Sequence, residues 1–196
     1  MNNEECGSKG LSYMLSNNDM EKIIGERIPI TPSSQFHNVT SIDELLSPSG
    51  KGLILYEDSR TPEGTFIGHW CGLLRFSPND IAFYDPYGGF PDSQLNYIPM
   101  CYRRATNQVI HHMKRLLHDS PYLRLHYNPH RHQRMQEGIN TCGRHVAMFL
   151  RAECDPEIYD KILKGFQRLQ YKTKGGKKAS KYKDHLVLQM TKNILL

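Results

Sequence analysis

The sequence predicts an α+β domain in which a central mixed sheet is flanked by helices. Three observations carry that expectation. Apolar runs of strand length, bounded by Gly, Pro or Asp, fall at 51–57 (KGLILYE), 65–76 (TFIGHWCGLLRF) and 81–85 (IAFYD). The intervening 77–80 (SPND) is turn chemistry, so the second and third runs close into a β-hairpin. Helical spacing then appears in 104–118 and 142–153, and a period-two stretch, 122–127 (YLRLHY), lies between them as a half-buried strand.

In chain order, the first fifty residues are rich in Ser, Asn, Gly and Pro and read as a loosely structured, variable leading segment, with short helical candidates at 19–26 and 42–46. A core of residues 51–170 follows. Beyond the hairpin, the chain crosses the sheet through a helix over 104–118, whose Val109, Met113, Leu116 and Leu117 share one face. A polar loop, 128–141, leads to a helix with Thr141 as N-cap and Cys142, Val146, Phe149 and Leu150 facing inward. A further helix is expected over 156–169, and there is no internal repeat.

Composition narrows the class. With 196 residues, 38% of them hydrophobic, and 7 Phe, 11 Tyr and 1 Trp, the chain can build one core, which excludes wholesale disorder. No apolar run approaches membrane-spanning length, and the opening MNNEECGSKG lacks the apolar centre of a secretory signal, so a soluble intracellular protein without a membrane partner is expected. Five cysteines, at 6, 71, 101, 142 and 154, make an odd set without a C-x-x-C pair, which fits neither a disulfide framework nor a zinc finger. Eight of the 25 basic residues lie in 164–183, where there is no acid, leaving 17 against 20 elsewhere. The basicity therefore belongs to a tail, 171–196, suited to contact phosphates or an anionic partner, or simply to keep the chain soluble. Its apolar end, HLVLQMTKNILL, is expected to dock on the body or on a partner.

One ordered set of residues points to chemistry. Cys142 opens a helix, where free N–H groups and the macrodipole favour a thiolate. His69 lies on a hairpin strand, and the partner strand ends at Asp85, so a nucleophile, a base and an orienting carboxylate can meet. Gln136, with Gln133 as its rival, sits in the loop before Cys142 and offers an amide donor to an oxyanion. Cys71 shares a strand face with His69 but lacks a helix N-terminus, so it is read as a core thiol. His126, His130, His132, Cys142 and His145 form a His-rich group that matches no zinc pattern, and no metal or organic cofactor is called for.

Gly68-His69-Trp70, then Tyr84-Asp85-Pro86-Tyr87-Gly88, then the segment from Gln136 to Cys142-Gly143 resemble, in order, the histidine, acidic and glutamine-to-cysteine motifs of one superfamily of cysteine proteases. That superfamily includes adenain, the adenovirus maturation protease, and the proteases of SUMO and other ubiquitin-like proteins. The resemblance spans roughly 50–153. It implies a papain-like or adenain-like core with His69 as general base, Asp85 as its orienter, Gln136 as oxyanion donor and Cys142 as nucleophile, and Trp70 packed beside the imidazole. The short length leans toward a viral maturation endopeptidase, cutting precursor polypeptides near Gly in host cytoplasm, nucleus or virion, with DNA or an activating peptide bound through the basic tail. Two alternatives stand beside it: a protease deconjugating ubiquitin or a ubiquitin-like modifier, and a catalytically degenerate nucleic-acid-binding module. Residues 174–177 (KGGK) are a candidate self-cleavage site.

Overall fold

The structure of the protein, a computed structural model, describes residues 10–173 and 182–195. Five strands form one mixed sheet in the order β1-β2-β3-β4-β5. β2 (Lys51–Arg60), β3 (Phe66–Ser77) and β4 (Asp80–Tyr84) form an antiparallel meander. β1 (Ile30–Pro32) and β5 (Arg124–Tyr127) are added parallel at the two edges. Both parallel additions require the chain to travel round the sheet before pairing, which is why they are not hairpins.

The helices are α1 (Asn17–Ile24), α2 (Met100–Ala105), α3 (His112–His118), α4 (Cys142–Ala152), α5 (Pro156–Thr173) and α6 (Asp184–Leu195). β2 reads as an unbroken apolar run because both faces of the sheet are covered. Leu53, Leu74 and Tyr84 face a cluster with Met20 and Ile23 of α1, Val146, Phe149 and Leu150 of α4, and Leu186 of α6. Ile54, Tyr56, Leu73 and Phe83 face the other way, onto Phe36, Ile42, Leu45, Met113 and Leu116. α4 lies close over β3: a Cβ on Gly72 would stand 3.0 Å from Val146 Cγ1.

Two expectations change, and a third, the docking of the apolar end, is met. The leading fifty residues are not loosely structured over the part described, because α1, β1 and two 3-10 turns supply buried side chains to both clusters. The Ser, Asn and Gly that suggested a loop are caps: Ser16 and Asp19 form a capping box at the start of α1, and Gly25 ends it at φ 93°. The helix expected over 104–118 is two helices, α2 and α3, broken where Asn107 takes a left-handed φ of 57°, which leaves Val109 exposed. The tail's apolar end is α6, packed on α1, α4 and α5 through Leu186 and Val187, while residues 174–181, with the KGGK candidate, lie outside those described. Among the described residues no helix is long and apolar enough to cross a membrane.

Candidate active site

The hairpin places the imidazole and the carboxylate. β4 ends at Tyr84, opposite Gly72, while β3 runs on, with His69 paired to Tyr56 of β2. Asp85 is thus the first residue past the ladder, and its side chain turns back along the sheet. His69 Nε2 lies 2.8 Å from Asp85 Oδ1, which also accepts the Tyr87 N–H at 2.8 Å. Asp85 Oδ2 accepts the Gly89 N–H at 3.2 Å and an amide N–H of Gln94. Asn128 clamps the Asp85 backbone from both sides, accepting its N–H at 2.9 Å and donating to its carbonyl at 2.6 Å. A fully buried carboxylate with donors on every side is fixed in both position and direction.

Two motif glycines have steric causes. A Cβ at Gly68 would sit 2.0 Å from the Tyr56 carbonyl oxygen, so the residue before His69 must be glycine for β2 and β3 to approach. A Cβ at Gly89 would meet Ser93 Oγ at 2.2 Å and Asp85 Oδ2 at 2.4 Å, occupying the space the carboxylate needs. The ring packed on the imidazole is Tyr87, stacked with centroids 4.2 Å apart and planes 9° from parallel. Trp70, expected there, points to the other face, as strand alternation requires, and packs beside Gly143 of α4.

Cys142 comes to the same imidazole from α4. Its sulfur lies beside His69, with the backbone N–H groups of Trp70 and Gly143 nearby. Trp70 lies two residues beyond Gly72, the last β3 residue paired to β4, so its N–H is not consumed by that ladder. Burial alone would push the thiol up, but His69 and the two N–H groups outweigh it and hold Cys142 below its ordinary value. Burial likewise opposes charge on His69, yet Asp85 holds the imidazole well above its ordinary value, helped by the sulfur contact. Both directions favour a thiolate–imidazolium pair. With Nε2 given over to Asp85, Nδ1 is the ring nitrogen left to exchange a proton with sulfur. Cys71 also touches His69, but burial and the charge of Asp85 push its thiol up to about 12, so it stays protonated.

The loop before Cys142 separates the two glutamines. Gln136 is exposed, its Oε1 accepting from Arg134 Nη1 at 3.3 Å, and among the described residues no hydrogen bond joins it to His69, Asp85 or Cys142. Gln133 is buried: its backbone N–H donates to the Pro86 carbonyl at 3.0 Å and its Nε2 to the Ile139 carbonyl at 3.1 Å. Thr141 occupies the N-cap position without capping the helix; its hydroxyl donates to Asp184. Arg144 and His145 are buried, Arg144 donating to Thr191 Oγ1 and His145 meeting Asp184, so neither lines a solvent-facing groove.

The His-rich group does not converge on one point: His126 bridges Asp80 and Asp155, His132 joins Tyr84 to Asp160, and His145 faces Asp184. Donor atoms of His69, Cys71 and Asp85 do lie within 4.8 Å of one another, a spacing that a metal ion would tolerate. An ion there would have to break the His69–Asp85 bond, in a carboxylate that already has four donors, and would need the Cys71 thiol deprotonated, so the trio suits a metal poorly. Gln94 and Asn128 carry no signal in the sequence; Tyr87 stands in the acidic motif, but Trp70, not Tyr87, was expected against the imidazole.

No family model matches the chain. Over 130 residues the chain is 35% identical to a protein of Sputnik virophage, uncharacterized protein V9, in a match that covers 66% of this chain and 71% of that protein.

Proposed function

The chain belongs to the family of Sputnik virophage protein V9, and we propose that it is a cysteine endopeptidase with an adenain-like core, cutting viral precursor polypeptides at Gly-containing sites. The observation that carries this reading is the meeting of two groups at one imidazole: Asp85 on Nε2, and the sulfur of a cysteine that opens a helix. This is the nucleophile–base–orienter arrangement of acyl transfer.

In the reaction, the Cys142 thiolate attacks the scissile carbonyl carbon and the carbonyl π pair moves onto oxygen. The resulting oxyanion is held by backbone N–H groups at the start of α4 and by a glutamine amide, with Gln136 assigned and Gln133 the rival. His69, protonated, gives its proton to the departing amine as the C–N bond breaks, leaving a thioester on Cys142. Neutral His69 then takes a proton from water, whose oxygen attacks the thioester. Collapse of that intermediate releases the acid and restores the thiolate–imidazolium pair. Asp85 keeps the ring oriented throughout and stabilises its charge. No step draws on a metal or organic cofactor.

Labelling with electrophilic probes tests both nucleophile and substrate: a short Gly-Gly vinyl sulfone against ubiquitin-like vinyl sulfones, on wild type, Cys142→Ala and Cys71→Ala. Labelling lost only in Cys142→Ala, with the short peptide preferred, is expected. Preference for an intact modifier would indicate deconjugation instead. Absence of labelling with every probe, with or without DNA, would move the reading to a nucleic-acid-binding module.

A further inference from the structure

The residue that governs the start of the nucleophile helix comes from the far end of the chain. Asp184, first residue of α6, is buried, and its Oδ1 accepts the Thr141 hydroxyl and faces His145 Nε2 at 3.4 Å. Its Oδ2 accepts the Arg134 N–H at 3.0 Å, and the preceding Lys183 donates its own N–H to the His132 carbonyl at 2.7 Å. One carboxylate therefore fastens the residue before Cys142, the residue three after it, and the loop that carries both glutamines.

The hydrogen bond to Thr141 has a chemical consequence. A threonine at the N-cap ordinarily turns its oxygen onto the N–H of the second or third helical residue, here Gly143 or Arg144. In this helix the cap makes no such bond, and the Thr141 hydroxyl is turned to Asp184 instead, leaving the Gly143 N–H beside the Cys142 sulfur uncapped. A capping oxygen and a thiolate would compete for the same first-turn donors, and Asp184 occupies the hydroxyl that would compete. We infer that Asp184 is a positioning residue for catalysis: by holding the Thr141 hydroxyl off the helix, it keeps the first-turn N–H groups free for the Cys142 thiolate and for the oxyanion formed beside it. This inference rests on the assignment of Cys142 as the nucleophile.

The test reads alkylation of Cys142 by iodoacetamide as a function of pH, which needs no peptide substrate. Asp184→Asn keeps an acceptor for Thr141, and its inflection is expected at or below that of wild type. Asp184→Ala matches the asparagine variant in charge but releases the hydroxyl, and is expected to alkylate roughly tenfold more slowly on the acid side of the profile, the worth of one hydrogen bond to a charged sulfur. Removing the hydroxyl in Asp184→Ala/Thr141→Val should restore the wild-type profile, a rescue that mere loosening of the fold would not give. Should the alanine variant not fold, Thr141→Val alone decides, because a hydroxyl that does not cap can be removed without moving the inflection. An Asp184→Ala profile equal to that of Asp184→Asn, a double variant no faster than Asp184→Ala, or a shifted inflection in Thr141→Val would overturn the inference. A wild-type Cys142 with no inflection below an ordinary thiol would remove the protease reading as well, so the two failures look different.

Discussion

Acidification should unfold this protein earlier than its carboxylates require, because a histidine is buried in its neutral form. His132 is 1% exposed; its Nδ1 accepts the Tyr84 hydroxyl at 2.8 Å and its Nε2 donates to Asp160 at 3.1 Å. Burial, reinforced by the neighbouring His145, brings its pKa down to about 4 despite the opposing pull of Asp160. In the unfolded chain the ring titrates near ~6.5, so the unfolded state binds the proton first. The stabilisation is fully present above about pH 6.5 and is lost as pH falls toward about 4, at ~1.4 kcal/mol per pH unit. Between pH 6.5 and 4.5 that amounts to about 2 kcal/mol, a sizeable part of a typical folding free energy. His145, also lowered by burial, adds in the same direction. Asp160 and Asp184 are held below their ordinary values and lose their contribution only as pH falls below about 4, outside this window. Urea unfolding followed by the fluorescence of Trp70, the chain's one tryptophan, gives the free energy at each pH. His132→Gln, which can keep both hydrogen bonds, should remove about one proton from the slope and narrow its stability gap to wild type as pH falls. A wild-type free energy flat across the window, or an equal slope in the variant, would refute the reasoning.

Other consequences are open to direct measurement. Cys142→Ala should abolish peptide hydrolysis and probe labelling, whereas Cys71→Ala should retain both and lose about 1–3 kcal/mol of stability from a buried site, read by urea midpoints. Asp85→Asn removes the charge opposite His69 and should lower kcat by roughly 10²–10⁴ with little change in fold, read by steady-state kinetics and circular dichroism. Replacing the oxyanion glutamine should cost ~10²–10³ in kcat; a loss on Gln136→Ala but not on Gln133→Ala supports the assignment, and the reverse transfers the role to the buried residue. Gly89→Ala, which drives a Cβ against Ser93 and Asp85, should both destabilise the fold and reduce activity, whereas Gly64→Ala, at a site open to solvent, should leave kcat unchanged.

The candidate site was legible in the sequence to the extent that it depends on chain-local geometry. A hairpin brings His69 and Asp85 together whatever lies beyond it, and a cysteine on the first turn of a helix meets free N–H groups by construction. The mixed sheet flanked by helices followed from the same periodicities. Less local features were not legible: the helical candidate at 19–26 is present as α1, but nothing local showed that Ser16, Asp19 and Gly25 cap it against the core, and a continuous helical pattern across 104–118 gave no warning of the break at Asn107. Gln94 and Asn128, which hold the Asp85 carboxylate and backbone, lie 9 and 43 residues away along the chain.

By itself, then, the sequence determined the fold class and the order of the candidate site residues along the chain, because strand alternation, turn chemistry and helix termini act over a few residues. Only the tertiary structure decided which glutamine is buried, that Cys71 stays a thiol beside the same imidazole, and that Asp184 reaches the start of the helix opened by Cys142. Those outcomes depend on burial and on hydrogen bonds between segments far apart in the chain, and neither is encoded in any local pattern.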